Sequence, residues 1–134
     1  MTKAVIPPTV TTNGTTFVVS SVAKNVFVGC SKLKSVTIGK KVTSIGDKAF
    51  YNCKSLQKIT IPAKVTKIGK QAFANCKKMK LITIKSSKLT AKSVGSKAFK
   101  RIYKKPTVKV PKKKKKVYKK MLIAKGMPKK VKIK

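Results

Sequence analysis

The chain is predicted to fold as a β-rich solenoid of stacked coils. Two observations carry that expectation. Three cysteines mark units 23 residues apart, and within each unit short segments that alternate apolar and polar residues recur at the same offsets. A third observation, the lack of almost every residue type that does acid–base chemistry, bounds what such a solenoid can be for.

Cys30 opens CSKLKSVTIGKKVTSIGDKAFYN, and Cys53 opens CKSLQKITIPAKVTKIGKQAFAN. Cys76 opens CKKMKLITIKSSKLTAKSVGSKAFKR, the same unit with three extra residues around SSKLTAKS. Upstream, AVIPPTV matches ITIPAKV and SSVAKNVFVG matches TKIGKQAFAN. Between them sits TTNGTTFVVS, where Asn13-Gly14 between alternating residues signals a tight β-hairpin. The same turn reading is preferred over the glycosylation sequon that Asn13-Gly14-Thr15 also fits. Downstream, IYKKPTVKVP repeats the opening of the unit with Ile102 in the cysteine place, for about four and a half coils. The resulting division is 4–29 for an atypical first repeat with its hairpin, 30–52, 53–75 and 76–101 for three repeats, and 102–134 for a partial repeat and C-terminal cap, all one domain.

Stacking explains which positions are apolar. Val36, Ile59, Ile82 and Val108 form one column, and Ile38, Ile61, Ile84 and Val110 the next. Val22, Ile45, Ile68 and Val94 line the far side, and Phe27, Phe50, Phe73 and Phe99 form an aromatic column. One coil cannot bury its apolar face alone, but coils about 4.8 Å apart share a continuous core. Gly46, Gly69 and Gly95 precede a chain reversal and are expected to supply a positive φ there. The cysteine column reads as small buried plugs, with a disulfide or redox pair as the competing reading.

After the last full strand, Pro111 suits the first turn of a helix. Val117 with Met121, and Tyr118 with Leu122, would then form one apolar face, closed by Gly126 as C-cap and followed by Pro128. The finish KKVKIK alternates like one more strand. On this reading the string PKKKKKV is the outer face of a cap, although it also matches a nuclear import signal.

The pattern C-x-x-L-x-x-I-T-I-P-x-x-V-T-x-I-G-x-x-A-F-x-N resembles the BspA-like, or Treponema-type, leucine-rich repeat. The resemblance covers about residues 4 to 110, and the tail is similar to the closing segment of such proteins from gut bacteria. It implies a β-rich leucine-rich-repeat solenoid with a parallel sheet on its concave face; with the residue patterns above, the expected fold adds short helical turns, the N-terminal β-hairpin insertion and the C-terminal helix-plus-strand cap. It also implies a secreted or cell-surface bacterial protein, with adhesion among the family's roles.

Composition narrows the function. The chain has 36 Lys+Arg against one acidic residue, Asp47, for a formal charge of +35, and Arg101 is its single arginine. With no His, no Glu and one Asp, paired-carboxylate and triad chemistry lack their players, so the chain is read as a non-enzyme. No metal-ligand spacing is present, and no cofactor is expected. No apolar run is long enough to span a membrane. The opening MTKAVIPPTV lacks the apolar stretch and cleavage site of a secretory leader, which fits a cytosolic protein or a mature piece.

Three functions remain open: an interaction or adhesion module offering a rigid lysine-rich surface to an anionic cell-wall polymer, acidic glycan or host protein; a general polyanion or nucleic-acid binder acting by unspecific charge; and a scaffold without a ligand. The chain would be a monomer or part of a larger one. Concave-face candidates for partner binding are Lys34, Lys58, Lys80 and Lys109, with the ladder Thr37, Thr60 and Thr83. Candidate polyanion contacts are Lys112, Lys113, Lys114, Lys115, Lys116, Lys119 and Lys120. No aromatic residue interrupts these strand faces, which disfavours stacking on nucleic-acid bases. Several lysine columns are interrupted, as in Lys34, Gln57, Lys80, and Asp47 is expected to bridge Lys24 and Lys70.

Overall fold

Every unit contributes one alternating segment to a main sheet, so the sheet grows by one parallel strand per coil. The computed structural model describes residues 3–7, 9–12 and 15–134; for 9–12 and 15–18 the backbone alone is described. In chain order the elements are β1 (Lys3–Ile6), β2 (Thr9–Thr12), β3 (Thr15–Val18), β4 (Ser21–Val22), β5 (Ser35–Ile38), β6 (Ser44–Ile45), β7 (Lys58–Ile61), β8 (Lys67–Ile68), β9 (Leu81–Ile84) and β10 (Thr107–Lys109). A single 3₁₀ turn (Lys112–Lys114), α1 (Lys115–Ala124) and β11 (Lys132–Ile133) finish the chain.

The main sheet has six strands in the order β1-β5-β7-β9-β10-β11. All its pairings are parallel, with Ala4 opposite Val36, Ile59 opposite Ile82, Ile82 opposite Val108 and Val108 opposite Ile133. A narrower parallel sheet, β4-β6-β8, lines the other side and is extended by a bridge from Ile68 to Val94. β2 and β3 pair antiparallel, Thr9 with Val18, as the hairpin expectation requires; its Asn13-Gly14 turn lies outside the described residues.

The core lies between the two sheets and follows the expected columns. Val36, Ile59, Ile82 and Val108 are buried, as are Phe50, Phe73 and Phe99, and Leu33, Leu56 and Met79 make a further, fully buried column. The four phenylalanines stack with centroids 5.3, 5.2 and 5.4 Å apart and planes within 13° of parallel. This is a little over the coil spacing of about 4.8 Å, so each ring fills the gap under the next. The reversal beside the phenylalanines has its own backbone ladder. The N–H groups of Phe27, Phe50 and Phe73 each donate to the carbonyl one coil on, at 2.8 Å.

The glycines of this reversal act differently from the expectation. Gly46, Gly69 and Gly95 do not have a positive φ. Instead, a Cβ at Gly69 would overlap the backbone and side chain of Asp47, and one at Gly95 the backbone of Lys70. These positions are glycine because adjacent coils touch backbone to backbone there. The left-handed conformation falls two residues later, on Asn25, Lys48, Gln71 and Lys97, and again on Asn52, Asn75 and Arg101, with φ between 53° and 62°.

The cap also departs from the expectation in detail. Pro111 precedes a 3₁₀ turn, and α1 begins only at Lys115. Tyr118, Met121 and Leu122 are buried, but Val117 is 59% exposed, so it does not share their face. Gly126, at φ 100°, ends the helix, with its own N–H on the Ile123 carbonyl and the Met127 N–H on the Leu122 carbonyl. Tyr118 anchors the cap: its hydroxyl donates to the Ser86 carbonyl (2.9 Å) and accepts the Leu89 N–H (3.1 Å). Burial pushes that phenol's pKa up, so it stays a donor. The insertion SSKLTAKS is therefore the seat of the cap.

Candidate binding face

Alternation along each strand sends one set of side chains into the core and the other onto the open face of the main sheet. Thr37, Thr60 and Thr83 fall in one row on that face, continuing to Lys109 by register. Thr37, Thr60 and Lys109 are exposed and Thr83 is half-buried. Two residues earlier, Lys3, Ser35, Lys58, Leu81, Thr107 and Lys132 form the next row. Lys58 opens β7 and Lys109 closes β10, both fully on the sheet face.

Lys34 and Lys80 are placed differently. Each lies one residue before its strand, at the lip of the sheet. The Lys80 ammonium sits over the Tyr103 ring, 5.3 Å from its centroid, which holds it against the lip. They frame the face and do not line it.

Three cavities follow the face. One of about 610 Å³ is lined by Lys3, Thr37, Lys58, Thr60 and Lys85 among others. A second, of about 530 Å³, lies against Lys40, Lys41, Pro62, Lys64 and Lys85. A third, of about 360 Å³, lies between Thr83, Lys85, Lys109 and Pro111. Lys85 borders all three. The sequence reading missed it, although a signal was present: where two units continue their strand with Gly39 and Pro62, the third has Lys85. Lys3 was missed as well, because it precedes the first recognisable match.

The seven lysines of the C-terminal run stand apart from this row arrangement. Lys112 and Lys113 belong to the 3₁₀ turn, and Lys115, Lys116, Lys119 and Lys120 to the outer side of α1; all six are exposed, and Lys114 is half-buried. No acidic residue or side-chain cap offsets their charge at the start of α1. Pro111, which borders the third cavity, joins this run directly to the sheet face.

Asp47 does something other than the expected bridge. Its Oδ1 accepts the backbone N–H of Lys70 at 2.8 Å, so its contact with that residue is to main chain and not to the ammonium. It caps a coil junction. The cysteines are free thiols. Cys53 and Cys76 donate to the carbonyls of Phe27 and Phe50, at 3.1 and 3.2 Å. Burial pushes the Cys53 thiol up to about 11 and the Cys76 thiol higher, so both are protonated plugs at neutral pH. A further ladder went unread: the Asn75 amide donates to the Asn52 side-chain oxygen at 2.8 Å, beside the phenylalanine column.

Among the described residues, no cluster of three His, Cys, Asp or Glu could hold a metal ion, and no helix is long and apolar enough to cross a membrane.

Coils of this length, a parallel sheet on one side and a stacked phenylalanine column on the other define a leucine-rich-repeat solenoid. The chain belongs to the BspA type leucine rich repeat family, whose profile matches residues 8–125 in six copies. Among solved structures it is similar to a leucine-rich repeat protein from Bacteroides ovatus, at 35% identity and a TM-score of 0.72, over 81% of this chain and 29% of that one. It is also similar to a leucine rich cell surface protein from Faecalibacterium prausnitzii, at 35% identity and a TM-score of 0.67, over 84% of this chain and 30% of that one. The pneumococcal vaccine antigen PcpA shares the fold at 20% identity and a TM-score of 0.50, over 85% of this chain and 41% of that one. The chain thus spans under a third of the length of the two gut-bacterial proteins. No curated protein matches it.

Proposed function

We propose that this chain is a non-catalytic interaction module of a bacterial cell-surface or secreted protein, and that it presents a rigid lysine-rich face to an anionic partner. The observation that carries the reading is the open face of the main sheet. There Thr37, Thr60 and Thr83 stand in register with Lys109 beside the row that holds Lys58, on a backbone fixed by parallel pairing on both sides. A surface built this way holds its charges and hydroxyls at constant spacing with little ordering left to occur on binding. Lys34 and Lys80 border the face, and the run Lys112 to Lys120 adds long-range attraction. The cell-surface description of the Faecalibacterium relative supports the location.

The test is an array of acidic polysaccharides, wall polymers, host matrix proteins and DNA, probed with the full chain across salt. The reading expects retention of a subset of non-nucleic-acid partners at about 0.15 M salt. Binding that falls in parallel for every polyanion, DNA included, would mean charge alone and would contradict it.

A further inference from the structure

The three cavities on the sheet face make one groove, because Lys85 is common to all of them. The groove crosses the strands from β1 to β10, four strand spacings, or about 19 Å. Its lysines are spread along it: Lys3 on β1 at one end, Lys58 on β7 and Lys85 just past β9 along its middle, and Lys109 on β10 at the other end, before Pro111 and the run that starts at Lys112. Lys40, Lys41 and Lys64 flank it past the ends of β5 and β7. Between them lie the hydroxyls of Thr37, Thr60 and Thr83. A track with charges at intervals and hydroxyls between matches a chain that itself carries anions at intervals and hydroxyls between.

Resting on the reading above, we propose that the groove is a binding cleft for an extended acidic polysaccharide lying along the solenoid axis, with Lys58 and Lys85 as its central contacts. The lysine ammonium groups meet carboxylates or sulfates of the glycan, and the threonines exchange hydrogen bonds with its ring hydroxyls. Charge complementarity singles out an anion, and Asp47, the single acidic residue, lines none of the three cavities. The chemistry of the walls singles out a glycan over a nucleic acid. None of the described lining residues is aromatic, so bases would find no stacking platform.

The experiment compares two double variants of the full chain that lose the same net charge. Lys58→Gln with Lys85→Gln strips the groove, and Lys54→Gln with Lys77→Gln strips two exposed lysines outside it. Binding of a fluorescent heparin oligosaccharide and of a single-stranded oligonucleotide is measured at about 0.15 M salt, with thermal melts confirming that all chains are folded. The groove pair is expected to weaken heparin binding about tenfold, and the outside pair about twofold or less. Equal losses in the two pairs would overturn the cleft while leaving a diffuse charged surface. Tighter binding of the oligonucleotide than of heparin would overturn the glycan assignment. Failure of the unaltered chain to bind heparin or any other acidic polysaccharide of the array, with retention of a protein, would overturn the glycan cleft alone; failure with every partner would remove the interaction reading too.

Discussion

Gln71 and Gly69 stand two residues apart in the same reversal and carry opposite demands. Gln71 sits at φ 53°, a conformation that costs an L-residue about 1 kcal/mol, while Gly69 has ordinary φ but no room for a Cβ. Gln71→Gly is therefore expected to raise stability by about 0.5 kcal/mol after its extra unfolded-state entropy, and Gly69→Ala to lower it by about 2 kcal/mol or more. Urea midpoints of the two variants check the signs. The cysteines give a pH dependence. Since the folded pKa of Cys53 is raised to about 11, its buried thiol favours the fold fully below the unfolded value near 9, and that contribution is lost as pH rises through 11. Cys53→Ala should cost about 1 kcal/mol at neutral pH, a penalty that shrinks as pH rises above about 9. Urea melts of both chains across that range read the difference.

The cap rests on one phenol. Tyr118 satisfies two buried backbone groups of the insertion, and Ser86, also buried, donates to the Val65 carbonyl behind it. Tyr118→Phe leaves the Leu89 N–H and the Ser86 carbonyl without that partner and should cost about 1–3 kcal/mol, whereas Val117→Ala should change stability by less than about 0.5 kcal/mol. Thermal unfolding of both variants separates them. This element shows where reading from sequence succeeds and where it stops. The helix, its glycine terminus and the final strand were legible from Pro111, Gly126 and the alternation of KKVKIK. Three of the four residues expected to face inward, Tyr118, Met121 and Leu122, were legible too; Val117 was not, because at about 100° per residue it falls about a quarter turn from the centre of the stripe those three make, where only the packing decides burial. The role of SSKLTAKS was hidden as well. Its partner lies about thirty residues away, and no local pattern links Ser86 to Tyr118.

Across the coils the same contrast holds. The columns of Val, Ile and Phe were legible because translation by one unit places equal residues over each other, and a core of that kind is written in the period itself. Lys85 was not, because it breaks the period: it stands where other coils have Gly39 and Pro62, and only the folded sheet shows that three cavities meet at it. The charge acts on the whole chain. With 36 basic residues to one acidic residue, mutual repulsion of the lysines opposes folding, and salt relieves it within a Debye length of about 10 Å at 0.1 M. Stability should thus increase from low to moderate salt, read by melting midpoints in a chloride series; a flat response would mean that the interrupted lysine columns already remove the repulsion.

The claim that the open sheet face is the working surface is tested most directly by amide chemical shifts of the full chain titrated with a heparin oligosaccharide at about 0.15 M salt. The largest changes are predicted on β5, β7, β9 and β10, at Thr37, Lys58, Thr60, Thr83, Lys85 and Lys109. Changes centred on α1 and the lysines from Lys112 to Lys120, or spread evenly over the lysines of every coil, would contradict it.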